Sequence, residues 1–309
     1  MKLSIVTSLY HSEPYVDEFH RRACAAAEAI APDFEMVLVN DGSPDRALDK
    51  ALALQSRDAR VVVVDLSRNF GHHKAMMTGL AHAEGERVFL IDADLEEQPE
   101  WLAEFAARMD RAGGDVVYGV QSERRGGWFD RWSGRLFYRL LRLLTRLDIE
   151  DDYTTARLMS RRYVKALLMH DEREIDIGGL WLITGFEQHA HPVTKLARSE
   201  STYTLRRKLS LAVNSITSFS NAPLVGIFYL GVFILAVSAA ASAFVLVRWL
   251  NDDLLSGWTS LILSVWLLGG LIISVIGVIG IYLAKVFSES KRRPYTIVRE
   301  IYGRGSEKP

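Results

Sequence analysis

A chain of 309 residues is long enough for one large or two modest domains, and 37 basic against 38 acidic residues give no global charge that would point to nucleic acid. The 49% hydrophobic content is unevenly spread, with most charge before residue 210 and most uninterrupted apolar sequence after it. A single cysteine, Cys24, excludes an intrachain disulfide framework and fits a reducing compartment.

The N-terminal apolar run stops at His11, Ser12 and Glu13, which does not make a signal peptide. Residues 3–9 read as a strand and 15–30 as a helix, with Pro14 at its start. A second strand over 35–40 ends in the turn residues Asp41-Gly-Ser-Pro, and a helix follows over 47–55. Residues 60–65 are a third strand and 74–83 a helix; Cys24, in an Ala-rich helical stretch, reads as a small core residue. Residues 88–91 are the fourth strand, 99–111 a helix and 115–119 the fifth strand. Runs of β-branched residues alternating with short helices predict an α/β fold with a mostly parallel sheet covered on both faces. The ligand crevice of such a sheet lies beyond the strand carboxyl ends, where Asp41, Ser67, Arg68, Asn69, Asp92 and Asp94 all fall.

Asp92 and Asp94 carry the chemistry. Two positions apart at the end of a buried strand, their carboxylates point to the same side. Paired carboxylates there make a hard-oxygen site for Mg²⁺ or Mn²⁺, which would neutralise a diphosphate. The alternative is a strand end followed by an acidic helix start, since Glu96, Glu97 and Glu100 suit a helix N-terminus. His72 and His73 are adjacent, point apart, and have no partner pair at ligand spacing, so zinc is not expected. His189 and His191 alternate on a strand over 188–193, and the apolar stretch 178–186 is too short to cross a membrane.

The second half changes character. Residues 221–247 and 257–284 carry no charge, and each run exceeds the roughly 20 residues needed to cross a bilayer. Two spans are expected. Arg206, Arg207 and Lys208 precede the first, and Lys285, Lys291, Arg292 and Arg293 follow the second, so the positive-inside rule puts both termini and the α/β domain in the cytoplasm. Between domain and spans, Arg131, Arg135, Arg139, Arg142 and Arg146 recur every three or four residues among Phe129, Trp132, Phe137 and several leucines. That pattern suits an amphipathic helix at the bilayer interface, with residues 205–219 as a weaker second candidate.

Six segments occur together in a recognisable order: Ile5-Val-Thr-Ser-Leu-Tyr-His-Ser-Glu, Val37-Leu-Val-Asn-Asp-Gly-Ser, Leu66-Ser-Arg-Asn-Phe-Gly, Ile91-Asp-Ala-Asp-Leu-Glu-Glu-Gln-Pro, Arg157-Leu-Met-Ser-Arg-Arg and Ser201-Thr-Tyr-Thr-Leu. In these the chain resembles the polyprenyl-phosphate glycosyltransferases of glycosyltransferase family 2, a group that includes dolichyl-phosphate mannose synthase. The resemblance implies a GT-A fold, Mg²⁺ or Mn²⁺, a nucleotide-sugar donor and a polyprenyl-phosphate acceptor. It divides the chain into a nucleotide-sugar-binding core (1–125), an acceptor-side region with the amphipathic helix (126–220), a transmembrane hairpin (221–287) and a cytoplasmic tail (288–309).

Carried over by position, Tyr10, Glu13 and Asp41 hold the nucleotide, with Asp92 near the diphosphate; by its chemistry, Lys74 is a basic group that would share the diphosphate charge and completes the donor site. Asp94 and Asp92, joined by Glu96, match the metal and diphosphate ligands, although the family commonly has Gln where this chain has Glu96. Arg124, Arg135 and Arg198 match arginines that meet phosphates, and Asp92, Asp94 and Arg198 form the implied catalytic set. The family often reads Asp-x-Gly-Asp-Phe before Arg-Leu, whereas this chain has Asp152-Tyr-Thr-Thr-Ala, which places Thr155 where an acid is usual. The tail after residue 293 has strand composition; it pairs either with a neighbouring subunit, giving a homo-oligomer, or with its own domain. Two other readings stand beside this one: transfer to the hydroxyl of a lipid-linked sugar, and a non-catalytic nucleotide-sugar-binding subunit.

Overall fold

The computed structural model describes residues 2–121, 153–196, 216–217, 220, 222–250 and 258–303. Its centre is an eight-stranded mixed sheet in the order β7-β5-β6-β4-β1-β2-β3-β8. The parallel part comprises β1 (Leu3–Leu9), β2 (Phe34–Asn40), β3 (Val61–Leu66) and β4 (Arg87–Leu90), joined through α1 (Val16–Glu28), α2 (Ala47–Gln55) and α3 (His72–His82). After α4 (Trp101–Ala112), β5 (Val116–Gln121) and β6 (Tyr153–Ser160) pair antiparallel, and β6 also runs antiparallel to β4. Two short helices, α5 (Arg161–Leu167) and α6 (Ile177–Ile183), lead to β7 (Gln188–Val193), which lies parallel to β5.

Strand periodicity explains why both faces are covered. Leu3, Ile5, Met36, Leu38, Val61 and Val63 pack under α1, α2 and α4, while Val6, Val37, Val39, Val62 and Val64 pack under α3, α5 and α6. Every residue of β1, β2 and β3 is buried. Gly79 lets α3 sit close on the sheet, because a Cβ there would press on the side chains of Val6 and Val39.

Two long helices come next, α7 (Ala222–Leu250) and α8 (Trp258–Ser290). The Tyr282 hydroxyl of α8 donates to the Ser220 carbonyl at 2.6 Å, just before α7. Among the described residues one stretch, Leu268–Ser290, is long and apolar enough to cross a membrane, and none of its most apolar window is buried. The apolar described part of α7, Ala222–Ile234, is shorter, so the described residues hold one candidate span of the two expected. Both predicted amphipathic segments, 128–147 and nearly all of 205–219, lie outside the described residues.

The tail resolves its two alternatives. It forms β8 (Val298–Tyr302), antiparallel to β3 of its own sheet. Arg299 anchors it, giving Nη1 to Asp65 Oδ2 at 3.0 Å and Nη2 to the Ser67 carbonyl at 2.8 Å. The strand that suggested a homo-oligomer therefore finds its partner within the chain.

Candidate active site

In the order β3-β2-β1-β4 the chain reverses direction of growth at β1, whose neighbours are β2 on one side and β4 on the other. The crevice outside the carboxyl ends of β1 and β4 is where an open α/β sheet binds ligands. Tyr10 to Glu13 come after β1 and Asp92 to Glu97 after β4, so this topology brings both groups of residues to one edge.

The loop after β4 is built tightly. The Asp94 Oδ1 accepts the Glu96 amide at 2.9 Å, and Leu95 between them takes a positive φ of 62° while fully buried. A bulky residue in the left-handed region is costly, and such strain persists where surrounding contacts over-determine it. Glu97 supplies those contacts. Its oxygens accept the amides of Thr155 at 2.9 Å and Ala156 at 2.7 Å, tying the loop to β6. Lys195 Nζ lies 2.8 Å from Glu97 Oε1, and the Leu196 amide donates to the Glu96 carbonyl at 2.9 Å, tying the same loop to the segment after β7.

Burial pushes the Glu97 carboxyl up to about 7, helped by the nearby Asp92 charge, while Lys195 opposes the rise. Lys195 is held above the ordinary lysine value: burial works against its charge, and Glu97 outweighs burial. Asp92 stands beside this pair. Its Oδ1 is 3.2 Å from His72 Nε2, yet that buried oxygen has no hydrogen-bond partner. The other ring nitrogen of His72 meets the Ser8 hydroxyl at 2.9 Å, so the ring bridges β1 and the β4 loop. Burial would raise the Asp92 carboxyl, but His72, Thr155 and Lys195 outweigh it and hold it low; Asp94 is raised by burial, which the Glu96 amide and Lys195 oppose without overcoming it.

The other predicted residues divide into groups. Tyr10 is half exposed at the end of β1, edge-on to His11 at 4.5 Å. Glu13 meets the loop before α2: its amide donates to Asp45 Oδ2 at 2.9 Å and its Oε2 accepts the Arg46 amide at 3.3 Å. Asp41 is buried, and its two oxygens accept the amides of Phe70 at 2.7 Å and Gly71 at 3.0 Å. That fixes the loop between β3 and α3. Gly42 beside it has a φ of +58°, and a Cβ would land on the backbone of Arg68 and Asn69, so only glycine lets the two loops touch.

Lys74 lines a cleft with Arg173, Lys291 and Arg293. Among the described residues the cluster whose ligand atoms all come within 4.8 Å is His20, Cys24 and Asp58, away from this crevice, and Arg60 already holds that Asp58. Asp92, Asp94 and Glu96 therefore do not converge as a trio. His72 and His73 diverge as expected, His73 meeting the Ile175 carbonyl at 3.2 Å. Arg124, Arg135, Asp152 and Arg198 lie outside the described residues.

The sequence singles out His72 and Glu97 only for other roles, Arg157 only within a motif, and Lys195 not at all. Arg157 is fully buried on β6 over the Trp181 ring, and burial lowers its guanidinium to about 10. Glu97 could have been found, since an acid just after Asp-x-Asp but facing inward needs a cation. Lys195 carries no motif at all.

Sequence comparison places this arrangement. The profile of glycosyl transferase family 2 matches residues 4–168, and relatives extend the match over the whole chain. The chain belongs to glycosyltransferase family 2. A Mycobacterium tuberculosis protein described as "Putative glycosyltransferases" is 52% identical over 98% of this chain and 89% of its own length. The glycosyltransferase YkcC of Bacillus subtilis is 33% identical over 98% of this chain and 95% of its own. The bactoprenol glucosyl transferase of Shigella phage SfV is 31% identical over 97% of this chain and 98% of its own. As a family 2 glycosyltransferase with a mostly parallel mixed sheet, the chain has a GT-A-like fold, and the crevice at β1 and β4 lies within the matched residues.

Proposed function

We propose that this glycosyltransferase moves a hexosyl group from a nucleotide sugar to the phosphate of a polyprenyl lipid at the cytoplasmic face of a membrane. Tyr10 offers an exposed ring to the base, and the loops set by Asp41, Gly42 and Glu13 frame the nucleotide. Asp92 and Asp94 face the diphosphate. A divalent cation fits there: the Asp92 oxygen without a hydrogen-bond partner is a hard donor, and Mg²⁺ is commonly bound by one or two carboxylates with substrate phosphates completing the shell. When bound, Mg²⁺ or Mn²⁺ supplies Lewis-acid stabilisation of the leaving nucleoside diphosphate. His72 orients Asp92, and the Glu97–Lys195 pair holds the Asp94 loop in its strained turn.

One observation carries the choice of acceptor. A sugar hydroxyl must lose its proton as it attacks, which calls for a positioned base of suitable pKa. Glu97 has that pKa, at about 7, but it is buried and its oxygens are taken by two amides and Lys195. A lipid phosphate is already anionic and needs cationic positioning instead, the role proposed for Arg124, Arg135 and Arg198. The apolar Leu268–Ser290 helix and the name of the Shigella phage relative support a lipid acceptor.

The test is a metal-supplemented assay of purified protein in lipid, with a panel of nucleotide sugars offered undecaprenyl phosphate or a lipid-linked sugar. Product on the bare phosphate is expected. Product only on the hydroxyl acceptor would overturn the reading, and nucleotide-sugar binding without any transfer would favour a non-catalytic subunit.

A further inference from the structure

A second cleft, of about 290 Å³, opens where α8 ends, and none of the crevice carboxylates lines it. Four of its lining side chains are cationic (Lys74, Arg173, Lys291 and Arg293) and one, Glu174, is anionic. Among the described residues, Lys74, Lys291 and Arg293 form no ion pair with a carboxylate. Lys291 Nζ instead sits 4.1 Å from the centre of the Phe287 ring. Arg173 gives Nη1 and Nη2 to Asp171 at 2.6 and 3.0 Å, but its Nε is buried with no hydrogen-bond partner. Glu289, two residues before Lys291, accepts the Arg173 amide on its Oε1 at 2.7 Å. The lining is thus rich in cations, four against Glu174 with Glu289 at its side, and it has a buried donor with nothing to donate to.

Its position says what kind of anion would reach it. Lys291 and Arg293 come directly after Ser290, the last residue of the one candidate span, so they stand at headgroup depth if Leu268–Ser290 crosses the bilayer. Val286 and Phe287, just before them, are exposed apolar side chains against which an acyl chain would lie. We propose that this cleft binds the phosphate of an anionic membrane lipid and so fixes the catalytic sheet at one height over the bilayer. The proposal rests on α8 entering the membrane and not on the identity of the sugar acceptor, so the transfer assay and a lipid-binding measurement fail independently.

The experiment measures the thermal unfolding midpoint of the detergent-purified full chain with dioctanoyl-phosphatidylglycerol, dioctanoyl-phosphatidylcholine or inorganic phosphate. Phosphatidylglycerol is expected to raise the midpoint by about 3 °C or more, with little effect of the other two. The Lys291→Gln/Arg293→Gln variant, altered at two exposed positions, is expected to lose at least half of that shift. An equal shift with inorganic phosphate would make this a free-anion site, an equal shift with phosphatidylcholine would reduce it to acyl contacts, and a variant keeping the full shift would move the lipid elsewhere. Any of these overturns the proposal. Native mass spectrometry of the unaltered protein reads it independently of the variant: preferential retention of phosphatidylglycerol supports it, and no preference overturns it.

Discussion

At the scale of single residues, the crevice separates groups that face substrate from groups that hold the loop. Asp94 is proposed for the first kind. Asp94→Asn should lower the transfer rate by about 10²–10³-fold while leaving the unfolding midpoint within a few degrees. Full turnover in that variant would remove Asp94 from the chemistry. Lys195 belongs to the second kind, and its loss leaves Glu97 buried beside Asp92 without a cation. For a fully buried pair that costs about 3–5 kcal/mol; with Lys195 28% exposed, about 2–3 kcal/mol is the better figure for Lys195→Met.

The pH dependence of that cost has a definite sign. The Glu97 carboxyl stands at about 7 in the fold against 4.5 for an ordinary glutamate, so the folded state holds the extra proton between those values. Its contribution is therefore fully present below about 4.5 and declines as pH rises through 7. Without Lys195 the carboxyl rises further, so Lys195→Met should destabilise more at pH 8 than at pH 6 in denaturant unfolding. Equal costs at the two pH values would show that Glu97 is not the group left stranded.

Elements are more legible in the sequence than their partners. The strands and helices of the first half stand within a few residues of where alternation and turn residues put them, because the strands are short apolar runs set between turn residues and polar helical stretches. β6 gives no such signal: Tyr153–Ser160 has an arginine at its middle, and only burial over Trp181 makes that residue compatible with a core strand. Spacing along a strand predicts a shared side for Asp92 and Asp94, but it does not foresee the left-handed turn at Leu95 that follows them. The ambiguity of the tail is genuine, since strand composition does not say whose edge it meets. Its anchor is testable: Asp65 is buried against Asn40 and Arg299, so Arg299→Ala should cost about 1–2 kcal/mol. An unchanged unfolding curve would mean that β8 does not depend on this contact.

At the scale of the whole molecule, a GT-A-like sheet is joined to at least one helix of membrane-crossing length and composition. The two-span arrangement remains a prediction with a direct readout. Asn251→Cys, in the connection between α7 and α8, should react with a membrane-impermeant maleimide on intact cells, whereas Glu300→Cys on β8 should react only after lysis. Labelling of the β8 position in intact cells would reverse the orientation, and protection of both positions would leave the hairpin short of the far side.

The place of β8 in the chain has a consequence for biogenesis. Seven strands are synthesised before the long apolar helices and one after them, yet all eight share one sheet. While α7 and α8 are being made, the outer edge of β3 has unpaired backbone groups, a template for wrong associations. The emerging enzyme must therefore guard that border until its final strand arrives, and helix insertion that goes astray would carry the missing strand off with it. If α8 enters a bilayer, quality control of its insertion and completion of the sheet are thus one event.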